Sequence, residues 1–267
     1  MRLRHVTAIL LRQYYLMRGS IARLLPLFAW VAVDILLWGF ITRYLNSVAQ
    51  ASFNFVPVLL GAVLLWDFFT RVMQGVTTSF LEDVWSRSFL NLFATPLSIT
   101  EYVGGLVLTS VVTSLIGLVV MLILATSIFG LSYLGFGLLL IPYLLILFMF
   151  GIALGIAGTA LVLRLGPASE WFIWPIPAMI SPFVGVFYPL STLPVWMQYI
   201  AHLLPPSYVF EGMRAIILGK PHSILLLLWG IGLACLYILM AAWFFSRVYR
   251  HAVRTGLLAR YSAESVS

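Results

Sequence analysis

Six long apolar runs organise the chain, at about residues 24–42, 55–75, 102–128, 136–163, 171–188 and 223–245. Each is close to the roughly 20 residues a helix needs to cross a hydrocarbon core. The stretch from 102 to 163 carries no charge, and the glycine and tyrosine turn over residues 129–135 divides it into two spans. Three segments depart from plain spans. In residues 3–19, Leu3, Val6, Leu10, Tyr14 and Met17 recur every three or four positions between arginines, which predicts an interfacial helix lying along one membrane face within residues 1–23. Over residues 80–94, FLEDVWSRSFLNLFA, the apolar positions Leu81, Val84, Trp85, Phe89, Leu92 and Phe93 predict a second amphipathic helix. Pro96 stops it, and Ser98 with Glu101 forms a capping box that opens the third span.

The third departure lies before the last run, where Pro189, Pro194, Pro205 and Pro206 interrupt apolar sequence. No straight helix crosses a bilayer through them. Trp196, Ile200 and Leu203 share one helical face, Ser207 is placed to cap a second short helix, and Glu211 and Arg214 stand three apart on it. Irregular backbone at membrane depth needs cover from protein or a water-filled cavity. Residues 189–216 therefore read as a re-entrant helix pair at an outer mouth, with an amphipathic loop on the outer leaflet as the plainer alternative.

Composition sharpens this picture. The chain has 267 residues, 63% hydrophobic and only 9% charged, with a mean hydropathy of +1.08. Soluble domains carry about 25% charged residues, so a soluble globular protein is excluded. The expected fold is all-α, a polytopic membrane protein with six transmembrane helices forming a single domain over residues 1–267. The net charge of +7 resides in basic residues beside the apolar runs near both ends, which speaks for membrane orientation and against nucleic acid. Five arginines precede the first run, Arg87 and Arg164 follow the second and fourth, and four lie in the tail at 246–267. The opposite side receives Arg43, Arg214 and Lys220. Eleven against three, with Arg71 inside a span, places both termini in the cytoplasm. The N-terminal charged and apolar regions are too long for a cleaved leader.

Candidate chemistry is sparse. Cys235 is the single cysteine, and His5, His202, His222 and His251 lack metal-ligand spacing. The lone lysine, in Gly219-Lys220-Pro221, does not belong to a phosphate-binding loop, so ATP is not handled by this chain. A membrane-embedded enzyme would need clustered nucleophile, base or metal ligands, and no such motif is present. Asp34, Asp67 and Arg71 are the charges inside spans, where ionisable groups are costly and mark function or pairing. Asp67 and Arg71 share a helical face, and Asp34 lies at similar depth. The three read either as an ion-paired cluster fixing the first span to the second, or as a polar patch on a pathway. A proton-coupled carrier using Asp34 and Asp67 would show paired repeats, and none is evident. Gly151, Gly155 and Gly158 put small residues on one face of the fourth span, suited to close packing. Trp30, Trp38, Trp66, Trp171, Trp174 and Trp196 suit interface belts or, alternatively, stacking surfaces for sugars or planar drugs.

The acidic pair Glu82-Asp83 with LFATPLS at 92–98, and Phe187-Tyr188-Pro189, Leu193-Pro194, Trp196, Leu204-Pro205 and Glu211-Gly212-Met213-Arg214, give the chain a recognisable shape. It resembles, over nearly its whole length, the permease subunits of type 2 ABC exporters. The resemblance implies a six-span half-transporter that pairs with a second copy or a close relative and with two separate ATPase subunits, which carry the ATP and magnesium. It also implies that residues 80–94 are a coupling helix docking on the ATPase through Glu82, Asp83, Trp85, Arg87 and Phe89. Phe187, Tyr188, Pro189, Trp196, Glu211 and Arg214 would belong to an outer gate, and the first, second and fifth spans would line the pathway. The expected site is the bacterial cytoplasmic membrane, and the expected cargo is lipid-linked, polysaccharide-like or drug-like.

Overall fold

The structure is a computed structural model that describes residues 3–48, 56–86, 88–93, 95–131, 134–221 and 223–255. The described residues are mostly helical, with α-helices in the order α1 (Leu3–Arg18), α2 (Ile21–Val48), α3 (Gly61–Trp85), α4 (Ser88–Phe93), α5 (Ile99–Phe129), α6 (Leu140–Leu165), α7 (Glu170–Ile173), α8 (Ile176–Val184), α9 (Val195–Leu203), α10 (Pro205–Ile217) and α11 (Ile224–Thr255). A short π-helical turn, Val56–Leu60, leads into α3. Among the described residues, five helical stretches are long and apolar enough to cross a membrane: Phe28–Val48, Val56–Trp85, Ile99–Phe129, Gly137–Leu165 and Ile224–Thr255. They coincide with five of the six predicted runs, displaced by a few residues or extended at their ends. Phe55, at the start of the second run, and residues 256–267 of the tail lie outside the described residues.

The run at 171–188 departs from expectation. It folds as two short helices, α7 and α8, broken at Trp174-Pro175, with Pro182 inside α8 and Gly185 ending it in the left-handed region at φ 65°. The prolines remove backbone donors and crowd the preceding turn, so the apolar composition cannot be drawn into one long helix. Even fully helical, Glu170 to Val184 would reach only about 22 Å, short of the roughly 30 Å hydrocarbon core.

Glycines on α6 decide how the long helices pack. A Cβ at Gly151 would stand 3.0 Å from Val72, one at Gly155 2.8 Å from the Met73 carbonyl oxygen, and one at Gly158 3.0 Å from Thr77. Backbones therefore approach closely along the whole contact, the usual use of small residues where both surfaces are as apolar as the lipid. Thr77 exploits the approach by donating a hydrogen bond to the Gly155 carbonyl at 3.2 Å. The order of these contacts shows that α3 and α6 run parallel. Likewise Ile146 meets Gly230 and Phe150 meets Tyr237, so α6 and α11 run parallel too. α5 is antiparallel to α3, since Tyr102 lies by Phe80 while Ser110 donates to the Val72 carbonyl at 2.8 Å. Phe68, Phe69, Phe80, Tyr102 and Phe150 fill the core between them.

A helix forms over Leu3–Arg18 within the predicted N-terminal segment, but its buried face is turned. Val6, Ile9 and Gln13 are buried, whereas Leu3 and Tyr14 are exposed. Two long-range contacts set the rotation: Ile9 packs on Gly105 of α5, and Arg12 must reach Asp83. The helix predicted over 80–94 is likewise divided. Residues 80–85 are the last turns of α3, and Ser86 ends that helix, its amide donating to the Glu82 and Val84 carbonyls. Hydroxyls of Ser86 and Ser88 both donate to the Asp83 carbonyl, giving the backbone an alternative to the helical ladder. The capping box appears as expected: the Glu101 amide donates to Ser98 Oγ at 3.3 Å and the Ser98 amide to Glu101 Oε2 at 3.1 Å. At the other end of α5, Gly130 closes the helix with φ 66°.

Gly155→Ala should lower stability by about 1–3 kcal/mol, because neither the Met73 carbonyl nor Val76 can retreat from the added carbon. Gly232→Ala in α11, where a Cβ meets nothing within 4 Å, should be neutral or stabilise by up to about 1 kcal/mol. Thermal unfolding of both variants in the same detergent checks the pair.

Candidate functional site

The turn between α3 and α4 is built around a buried carboxylate. Asp83 is 1% exposed. Arg12 of α1 donates to it twice, Nη1 to Oδ2 at 3.0 Å and Nη2 to Oδ1 at 2.6 Å. The Tyr102 hydroxyl donates to Oδ2 at 2.7 Å and the Ser88 hydroxyl to Oδ1 at 3.2 Å. Burial by itself would lower the affinity of the Arg12 guanidinium for its proton, but the hydrogen bonds and charge of Asp83 outweigh it and the net shift is upward. A buried ion pair costs little only when its remaining lone pairs are satisfied, and this one engages three helices. A second tie lies nearby, where His5 Nδ1 meets Glu101 Oε2, the capping carboxylate of α5, at 2.9 Å. Thus α1 fastens the end of α3 to the start of α5.

The five predicted coupling residues separate here. Glu82 is half-buried and Trp85 is 52% exposed, whereas Asp83 points inward to Arg12. Phe89 belongs to α4, and Arg87 lies outside the described residues.

From this turn a groove of about 610 Å³ runs along α3. α3 contributes Asp67, Thr70, Arg71, Gln74, Thr78, Ser79 and Glu82, a stripe about 22 Å long at 1.5 Å per residue. α5 faces it with Thr109, Thr113 and Ser114, while Gln13 comes from α1, Asp34 and Trp30 from α2, and Trp174 from the α7–α8 break. Asp67 and Arg71 pair as their spacing predicts, Nε to Oδ2 at 2.6 Å, and Asp34 shares their groove. Gln13 Nε2 and Thr70 Oγ1 are buried without a hydrogen-bond partner. Sequence reasoning noticed the charges but missed the neutral members of the stripe. Polar residues at 67, 71, 74, 78 and 82 in an apolar span, spaced four, three, four and four, were the available signal.

The predicted gate residues assemble at the opposite end of the bundle. Glu211 and Arg214 pair at 2.8 Å, and both also hold backbone: the Leu190 amide donates to Glu211 at 2.7 Å, and Arg214 Nη2 donates to the Gly185 carbonyl at 2.6 Å. Burial pulls the Arg214 guanidinium below its ordinary value, opposed by the Glu211 carboxylate. Phe187 stacks on Trp38 of α2 with centroids 5.0 Å apart, and Tyr188 donates to the Pro182 carbonyl at 2.7 Å. Pro189 caps a 3-10 turn, and Trp196 meets Phe183 edge-on. Ser207 does not cap α10. Pro205 and Pro206 occupy its first turn after Leu204, since a missing N–H costs nothing there, and the Ser207 hydroxyl turns back to the Ala201 and Leu204 carbonyls.

Arg12→Ala strands the Asp83 carboxylate in the interior and should cost about 3–5 kcal/mol, with Arg12→Met/Asp83→Leu recovering much of that loss because no lone charge remains buried. Thermal unfolding of the single and double variants measures both quantities.

Nodulation protein J of Rhizobium leguminosarum bv. viciae is 33% identical over 91 residues, a match covering 33% of each chain. Residues 6–218 match the family described as ABC-2 type transporter, a stretch that includes most of α1, the α3–α4 turn, the groove and the α9–α10 pair. This multi-pass membrane protein belongs to the ABC-2 type transporter family.

Proposed function

We propose that the chain is the permease subunit of an ATP-driven exporter, paired with a second copy of itself and worked by separate ATPase subunits that bind ATP and magnesium. The observation that carries this reading is the α3–α4 turn: its carboxylate is locked to α1 and α5, while Glu82 and Trp85 beside it retain exposed surface. A push delivered there reaches three helices at once. In this reading Glu82, Trp85, Arg87 and Phe89 meet the ATPase, and Asp83 keeps their platform in register. Family membership and the absence of a phosphate-binding loop in the sequence support a division between passage and motor.

The same reading takes six crossings with both termini in the cytoplasm. Parallel α6 and α11 require the chain to return between them, and residues 166–223 are the connecting stretch. Ile173 packs by Gly158 near one end of α6, whereas Gly212 lies on Tyr143 near the other, about 22 Å away along the helix. The broken α7–α8 segment, too short by itself, then makes the fifth crossing together with residues 185–194 that follow it, covered on one side by protein as irregular backbone at that depth must be. The excess of basic residues supports a cytoplasmic α1 end, and family and size support a bacterial cell. α9 and α10 cap the outer end, held by Glu211 and Arg214.

Nucleotide binding in the partner would shift the population between two packings of the dimer. Because α3 is one helix from Gly61 to Trp85, tilting its cytoplasmic end moves the groove wall against α2 and loads the outer loop through Trp38 and Phe187. The cargo is a lipid-linked, polysaccharide-like or drug-like molecule leaving the cytoplasm or inner leaflet. The proton-carrier alternative is weakened because Arg71 engages the Asp67 carboxylate, leaving Asp34 as its remaining candidate.

Glu82→Ala/Trp85→Ala should weaken ATPase co-purification and cargo-stimulated ATP turnover roughly tenfold, equivalent to about 1.4 kcal/mol, while thermal unfolding of the membrane subunit stays as in the parent. Unchanged turnover, or concentrative transport by vesicles holding this chain alone, overturns the assignment.

A further inference from the structure

Toward its C-terminus α11 presents a stripe that changes from apolar to basic along one exposed face. Leu236, Met240 and Trp243 are exposed, the last by 61%, and Arg247, Arg250 and Arg254 continue them, all exposed as well. Steps of four, three, four, three and four residues hold the six on one side of the helix. Ala241, Phe245, Val248 and Ala252 are buried on another side. The apolar run ends near Phe245, so the stripe passes from hydrocarbon to head-group depth between Trp243 and Arg247. Arg164 of α6 is exposed and stands about five helical turns beyond Ile146, which packs on Gly230. It therefore comes level with residue 248 of the parallel α11 and widens the basic zone to a second helix.

Among the described residues, none of these four arginines meets a carboxylate, whereas Arg12, Arg71 and Arg214 each hold one. Arg254 lies in the last turn of α11, where a cation complements the helix dipole. Arg247 and Arg250 sit one to two turns earlier, beyond the reach of that effect. Like charges four apart, as at Arg250 and Arg254, destabilise a helix, so the stripe calls for an anion that the described residues do not supply. Two of the guanidiniums are already oriented. Arg247 lies over the Trp243 ring, 5.2 Å from its centroid, and Arg250 Nε donates to the Ser246 carbonyl at 3.2 Å. Both contacts are made to α11 itself and leave the Nη donors at head-group level, so less side-chain freedom is lost when they take a phosphate.

We infer that this stripe is a docking site for an anionic glycerophospholipid in the leaflet at the α11 C-terminus. The phosphate is held by Arg247 and Arg250, Arg254 adds positive charge behind it, and an acyl chain lies along Trp243, Met240 and Leu236. A zwitterionic lipid brings the same phosphate together with an ammonium that the arginines repel, so the site selects by the charge of the whole head group. The inference goes beyond the exporter reading and does not depend on it, since it requires only that α11 crosses the membrane.

The full-length chain is placed in phosphatidylcholine nanodiscs with a small fraction of phosphatidylglycerol carrying a diazirine in one acyl chain, irradiated, and its adducts mapped by mass spectrometry. Saturable adducts are expected within residues 236–247. Unlabelled phosphatidylglycerol should suppress them roughly tenfold more effectively than phosphatidylethanolamine, the scale of one to two arginine contacts at a membrane surface. Arg247→Gln/Arg250→Gln should weaken probe binding at the stripe more than tenfold, at about fivefold for each arginine. Arg4→Gln/Arg18→Gln removes the same charge from α1, at the same end of the bundle, and should leave the α11 adducts unchanged. The ranking of the two lipids on the parent protein needs no variant to fold. Equal suppression by phosphatidylethanolamine, or α11 labelling that survives loss of Arg247 and Arg250, overturns the inference. So does an equal loss in the α1 variant, which would reduce the effect to diffuse surface charge.

Discussion

In a bilayer the lateral association of helices gains little from the hydrophobic effect, because lipid tails are as apolar as leucine. Hydrogen-bonded polar contacts and close backbone packing must supply the specificity instead. The Asp83 carboxylate is where this constraint falls hardest. Buried at the end of α3, it must find partners, and it finds them in Arg12, Tyr102 and Ser88 on three other helices. That one requirement turns α1 about its axis, ends α3 at Ser86 and seats the start of α5 against both. The surface presented at this turn is a consequence of the same interaction, since Glu82 and Trp85 are set by the carboxylate between them.

The second source of order is the glycine face of α6. With Gly151, Gly155 and Gly158 against α3 and Gly230 of α11 against Ile146, the three parallel helices form a close-packed spine. α2 and α5 are fitted to it more loosely, and the polar groove opens between them and α3. A rigid spine beside a more open flank suits a transporter, because relative motion can be confined to the flank while the packed helices carry force along their length.

The two ends of the molecule are tied by different chemistry. At the α1 end the ties are side chain to side chain, Arg12 to Asp83 and His5 to Glu101. At the far end Glu211 and Arg214 grip backbone, the Leu190 amide and the Gly185 carbonyl, where proline-rich segments cannot satisfy their own polar groups. Stacking of Phe187 on Trp38 connects that loop to α2. A displacement of α2 thus has a direct route to the loop that leads into α9 and α10.

Features governed by short-range geometry were legible from the residues alone: five long spans, the capping box at Ser98, the close-packing face of α6 and the pairing of Asp67 with Arg71. Helical period, cap stereochemistry and spacing of three or four residues depend on neighbours in sequence. Local signals also existed for the break at Pro175 and for the polar stripe of α3, but strong apolar composition obscured them. The buried face of α1, the inward turn of Asp83, the division of residues 80–94 and the gathering of four helices and the α7–α8 break around one groove were decided only in three dimensions. Each depends on which distant side chain satisfies a buried charge or admits a neighbouring backbone, and no local pattern encodes that partner.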